Sequence, residues 1–212
     1  MAQPPRHRVT YAFDAYCGWC YGFGPTVREF AEANADRLEL RVLGGGLFTG
    51  PSAKPVSAYP YIPAADARIA ELTGAVFGEG YAAALAEGGS VLDSAAAATA
   101  LVALAQQAPD RALELAGALQ RAWYLDGRSL SDPETVRSVA LAAGLDGAAA
   151  VAAYTGPDSR RTALEGFREV RRLGVDAFPT LLLHTPDGGV RRLGGPTTSA
   201  RALSRALDEH DN

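Results

Sequence analysis

The hydrophobic pattern changes period several times along the 212 residues, and each change marks an element. Val9-Thr10-Tyr11-Ala12-Phe13 is a β-rich run. Asp14-Ala15-Tyr16 then reads as a turn, and the stretch from Pro25 to Ala35 as a helix. Leu38-Glu39-Leu40-Arg41-Val42-Leu43 returns to strand character, so the opening segment predicts a βαβ unit with a parallel pair. Gly44-Gly45-Gly46 follows that strand, either as a plain loop or as a close backbone approach that a side chain would block. From Pro51 to Pro63 the chain is rich in proline and small residues and leaves the unit.

Nearly a hundred residues of alanine-rich, helix-period sequence come next. Asp93 or Ser94 opens a helix running from Ala95 to Gln107, and Asp110 is placed to cap one that buries Leu115, Leu119 and Trp123. Asp132-Pro133-Glu134 combines a capping side chain with proline at the first helical position, ahead of Val136, Val139 and Ala140 and a stop at Gly144. Asp146 opens a short helix through Tyr154. Such regular caps predict a packed helical block, expected to serve as scaffold.

Thr155 to Asp158 reads as a loop, followed by a helix from about Ser159 to Leu173 with Ala163, Phe167 and Val170 on one face and Gly174 as its stop. Pro179 to His184 is a strand. The turn Thr185-Pro186-Asp187-Gly188-Gly189 joins it to Val190-Arg191-Arg192-Leu193 as a hairpin, and a last helix with Leu203 and Leu207 starts near Thr197 or Thr198. The order is β-α-β, helical block, α-β-β-α. It predicts an α/β fold with a mixed four-stranded sheet, made by residues 1–55 and 159–212, carrying residues 56–158 as an all-helical insertion.

Both cysteines of the chain, Cys17 and Cys20, stand three residues apart where the first strand gives way to the first helix. Unpaired N–H groups and the positive end of a helix dipole favour a thiolate there. Residues i and i+3 also share one helical face, so one sulfur can attack a disulfide and the other can resolve the mixed disulfide. Attack falls to Cys17, nearer the helix start, and resolution to Cys20. A structural disulfide closing so short a loop would remove little chain entropy. A zinc site would need two more ligands, and His7, His184 and His210 are isolated, so no metal is expected.

Composition narrows the partners. A net charge of −4 with scattered arginines gives no polyanion footprint, so nucleic acid is not expected. The first residues, Met1 to Arg8, lead straight into the β run with no signal-like apolar stretch, and no span reaches membrane length; the expectation is a cytoplasmic protein. In that compartment a C-x-x-C pair at a strand-to-helix junction reads as catalytic or redox-sensing. Gly44-Gly45-Gly46 lacks the spacing of a dinucleotide fingerprint, so no flavin or nicotinamide cofactor is expected. Electrons must then come from a partner protein or a small thiol, with glutathione as a reductant or co-substrate.

This order of elements, with Cys17-Gly18-Trp19-Cys20 at the first helix, Pro25 five residues on and Val175-Asp176-Ala177-Phe178-Pro179-Thr180 before the third strand, resembles the thioredoxin fold. Its helical insertion resembles the DsbA-like branch. The wording from Phe13 to Phe23, followed by Gly44-Gly45-Gly46, looks like the cytoplasmic protein-disulfide isomerases predicted in bacteria. The resemblance implies a cis Phe178-Pro179 bond beside the dithiol, against the plainer reading of a trans proline opening a strand. It also implies that the Phe178 backbone pairs with an extended substrate, with Tyr16 and Thr180 as further substrate-binding residues. Trp19 is a substrate contact or a lid over the sulfurs. Where such enzymes carry a buried acid, six residues before the first cysteine, this chain has Tyr11. Asp14 is therefore the expected proton acceptor or electrostatic modulator, unless it serves only an Asx-turn.

The function expected is a thiol-disulfide oxidoreductase or disulfide isomerase acting on protein or peptide thiols. Two alternatives share the fold class: a glutathione-dependent transferase or isomerase of the kappa and 2-hydroxychromene-2-carboxylate type, and a non-enzymatic redox-gated binding module. The first needs one nucleophile, usually serine, and so disagrees with the retained pair. The second predicts no turnover at any dithiol concentration.

Overall fold

The structure is a computed structural model that describes residues 7–209; residues 1–6 and 210–212, with the expected leaderless N-terminus and His210, lie outside the described residues. Strand β1 (His7–Phe13) pairs parallel with β2 (Leu38–Gly44) and antiparallel with β3 (Thr180–His184), and β3 pairs antiparallel with β4 (Val190–Gly194). The order β2-β1-β3-β4 makes a mixed sheet with β1 inside it. That position explains the unbroken burial of Val9 to Phe13, since both faces of β1 are covered.

Helix α1 (Gly18–Ala33) covers one face, where Phe23, Val27 and Phe30 join Tyr11, Phe13, Leu181 and Leu183, and α9 (Ala200–Asp208) adds Leu203 and Leu207. On the other face α8 (Pro157–Arg172) brings Val170 against Ala12, Leu43 and Leu182. Between β2 and α8 run α2 (Ile62–Thr73), α3 (Glu79–Glu87), α4 (Ser94–Ala105), α5 (Ala112–Tyr124), α6 (Pro133–Ala142) and α7 (Gly147–Thr155). This is a thioredoxin-like fold carrying a helical insertion.

Local chemistry placed most of the boundaries. Asp93, Asp132 and Asp146 each accept backbone N–H groups at the starts of α4, α6 and α7, and Gly144 and Gly174 adopt positive φ at helix ends. Elsewhere the structure corrects the reading. Helix α1 begins seven residues before Pro25 and carries that proline inside it. Asp110 lies within a 3₁₀ turn, Pro109–Arg111, and caps nothing; α5 starts straight from that turn without a side-chain cap. The expected loop at 155–158 shrinks to Gly156, because Pro157 supplies a ready first helical position for α8. The final helix is capped by Ser199, not by Thr197 or Thr198.

Candidate active site

Strand β1 ends at the centre of the sheet and delivers Asp14 to Cys17 to one end of it. Cys17 is the N-cap residue of α1, and Cys20 lies in its first turn. Both thiols are free and buried, but unequally: Cys17 retains 6% exposure and Cys20 none. Cys17 borders a cavity of about 350 Å³ that Cys20 does not reach. The bond Phe178-Pro179 is cis, and the Phe178 carbonyl accepts from Cys17 Sγ at 3.6 Å.

Cys20 sits in a dry setting that holds its proton. Burial raises its pKa most, followed by the hydrogen bond and the charge of Cys17, while the Asp14 N–H donates to Cys20 Sγ at 3.4 Å and opposes the rise. Tyr11 lies beneath it, with its hydroxyl 3.4 Å from the Cys20 carbonyl oxygen, and burial first, then the two cysteines, pushes that phenol up. Asp14 is 3% exposed. Its Oδ1 accepts from Tyr16 N at 3.0 Å and its Oδ2 from Leu47 N at 2.8 Å, so the side chain makes the Asx-turn and also ties the strand end to the loop after β2. Burial raises its pKa from the ordinary aspartate value, and the hydrogen bonds from Leu47, Ser94, Tyr16 and Gly46 oppose the rise.

The glycine run is a close approach. A Cβ on Gly45 would lie 2.0 Å from Cε1 of Phe178, and one on Gly46 would meet the Phe167 ring at 3.0 Å with φ +77°. Trp19 is half-buried, borders the cavity and packs on the core. Tyr16 also borders the cavity; its hydroxyl accepts from Leu130 N at 2.9 Å and its ring meets Trp123 edge-on. Thr180 is not brought there. It is buried, its hydroxyl donates to the Ala177 carbonyl, and its backbone pairs with Ala12, so it shapes the proline loop and lies outside the cavity lining.

The insertion is more than scaffold. Its residues Tyr61, Asp66, Tyr81, Trp123 and Tyr124 form the wall opposite Cys17. In the sequence only Trp123 stood out, as part of a buried stripe. Asp66 gave one usable sign: an acid within a helix of mostly small and apolar neighbours. Another sign is the pair Gly18 and Gly22, one turn apart on α1, where Cβ atoms would come 2.8 Å from Ile69 and 2.7 Å from Thr73 of α2.

A dithiol at the start of a helix, next to a cis-proline loop on a thioredoxin-like sheet, defines the class as a disulfide-exchange protein. Residues 8–203 match the DsbA-like thioredoxin domain, and the chain belongs to that family, whose members are thiol-disulfide oxidoreductases. Among solved structures, cytosolic disulfide reductase DsbM from Pseudomonas aeruginosa is 30% identical, with 96% of this chain and 95% of that one covered and a TM-score of 0.76. The same protein with GSH gives 28% identity, 97% and 100% coverage and a TM-score of 0.79. A candidate protein disulfide isomerase from Nitrosomonas europaea is 19% identical, with 96% and 97% covered and a TM-score of 0.81, a likeness of fold. No curated protein matches the chain. Among the described residues no helix is long and apolar enough to cross a membrane.

Proposed function

We propose that this protein exchanges disulfides with protein or peptide substrates in the cytoplasm, with Cys17 as the nucleophile and Cys20 as the resolving thiol. The observation that carries the assignment is the asymmetry of the pair: Cys17 opens to the cavity beside the Phe178 carbonyl, and Cys20 is sealed behind it.

In the reducing direction the Cys17 thiolate attacks one substrate sulfur. A Cys17–substrate S–S bond forms, the substrate S–S bond breaks, and the departing thiolate takes a proton from water. In the mixed disulfide Cys17 is neutral and no longer a thiol, so its contributions to the raised Cys20 pKa vanish. Cys20 then loses its proton more readily, with the Asp14 N–H to stabilise the thiolate, and attacks Cys17 to release the second substrate thiol. Two electrons pass from the dithiol to the substrate. After the substrate has been reduced, a small thiol such as glutathione, or a partner protein, reduces the Cys17–Cys20 disulfide back to the dithiol; the oxidising direction is the reverse, and there a disulfide of the same classes re-forms the protein disulfide. The likeness to a cytosolic reductase supports the compartment and the reducing direction.

The test is a pair of variants assayed for insulin reduction. Cys17→Ser is expected to lose turnover, and Cys20→Ser to accumulate a mixed disulfide visible by mass spectrometry. Turnover that survives in Cys17→Ser refutes the assignment. A Cys20→Ala variant with full glutathione-transfer activity would move the protein to the transferase class instead.

A further inference from the structure

Asp66 enters the cavity from α2 with only 8% exposure. Its Oδ2 accepts the Tyr81 hydroxyl at 2.8 Å. Its Oδ1 points over the start of α1, where a Cβ on Gly18, next to Cys17, would lie 3.1 Å away. Among the described residues no hydrogen bond reaches Oδ1 and no cationic side chain pairs with Asp66. Nor does any Lys, Arg or His border the cavity; its second acid, the exposed Asp176, is engaged by Arg192 at 2.7 Å. The remaining wall is largely aromatic, with Trp19, Tyr61, Trp123 and Tyr124. A largely buried carboxylate whose Oδ1 faces the cavity is only partly solvated, and a cation entering the cavity offsets that cost twice, through the charge-assisted hydrogen bond and through the rings.

We propose that this cavity selects disulfides and thiols bearing a cationic group close to the reacting sulfur, with the cation held by Asp66. The inference rests on the oxidoreductase reading above and adds a substrate class to it. Gly18 follows Cys17 directly, so Asp66 serves an ammonium only a few bonds from the sulfur, as in an aminoethyl thiol. Glutathione carries its ammonium far from its sulfur and is net negative, so it is expected to react more slowly here than an aminoethyl thiol while still serving as a bulk reductant.

Prereduced protein, as sole reductant, is mixed with cystamine, with bis(2-hydroxyethyl) disulfide and with glutathione disulfide, and the second-order rate of Cys17–Cys20 oxidation is measured. In each case the thiolate forms a new S–S bond, the reagent's S–S bond breaks, and the departing thiolate is protonated by water before Cys20 closes the protein disulfide. The cystamine to hydroxyethyl rate ratio is expected to fall about tenfold in Asp66→Asn, and intrinsic reagent reactivity cancels in that comparison. An unchanged ratio overturns the selectivity alone. Failure of all three reagents to oxidise the wild type overturns the oxidoreductase reading and the selectivity together. Should Asp66→Asn not fold, wild-type labelling decides. The rate ratio of 2-aminoethyl to 2-sulfonatoethyl methanethiosulfonate at Cys17 is expected to exceed that of the urea-unfolded chain about tenfold, and equality overturns the proposal.

Discussion

Replacing Gly45 by alanine is the most direct probe of how the loop after β2 holds the proline loop in place. The added Cβ would stand 2.0 Å from Cε1, 2.2 Å from Cζ and 2.7 Å from Cδ1 of Phe178. Carbon atoms in good contact lie about 3.5–4.0 Å apart, so the ring must retreat by roughly 1.5 Å. Gly45 cannot retreat in its place without loss, because its N–H donates to the Phe13 carbonyl at 2.7 Å at the end of β1. Backbone strain is not the cause, since Gly45 does not adopt positive φ. Overpacking of this kind costs about 1–3 kcal/mol, and we expect about 2 kcal/mol in urea unfolding. The displaced ring also shifts the Phe178 carbonyl that faces Cys17, so disulfide-exchange rates should fall about tenfold. A double-mutant cycle isolates the contact: in a Phe178→Ala background Gly45→Ala should cost less than about 0.5 kcal/mol. An equal cost in both backgrounds would refute the contact as the reason for glycine.

Three further outcomes follow from the buried acids. Asp14→Asn offers one amide N–H₂ to a backbone donor that the carboxylate now satisfies, and should cost about 1–2 kcal/mol at neutral pH. The charge of Asp14 raises the Cys20 pKa, so the same variant should resolve the mixed disulfide at lower pH; an unchanged profile would leave Asp14 only its turn-forming role. Burial pushes Asp66 up to about 6, which means the folded state holds that proton more tightly than the unfolded chain does. Its carboxylate therefore costs stability above pH 6, and the cost fades as pH falls toward the ordinary aspartate value. Asp66→Asn should be more stable than the wild type by about 1–2 kcal/mol at pH 8, allowing for cavity water, and nearly equal to it at pH 4; a gap that is constant with pH would count against the buried charge.

Sequence reading went furthest where one residue decides one local event. Asp93, Asp132 and Asp146 announced helix starts because a short acceptor satisfies N–H groups within three residues of itself. The dithiol and proline loop were legible for a similar reason, as each is a compact motif. The far wall of the cavity was not. Tyr61 and Asp66 come from the start of α2, Tyr81 from α3 and Tyr124 from α5, and only the packing of α2 and α5 against α1, with α3 on α5, brings them together. Asp110 misled because capping depends on whether the helix starts there or one 3₁₀ turn later, a choice of backbone geometry that a side chain does not dictate alone. Thr180 follows Pro179 directly, but its buried hydroxyl turns back to the Ala177 carbonyl of the proline loop and not toward the cavity.

The seam between α1 and α2 bears on whether the two parts of this chain are separable. Gly18 and Gly22 leave a notch in the helix that carries the dithiol, and Ile69 and Thr73 fill it. A chain cut back to its sheet and flanking helices would expose that notch, uncover Cys17 and lose the aromatic wall with Asp66. The insertion interrupts the sequence as a module would, but it is not a detachable one: a minimal domain excised from this protein would keep the dithiol and lose the far wall of its cavity.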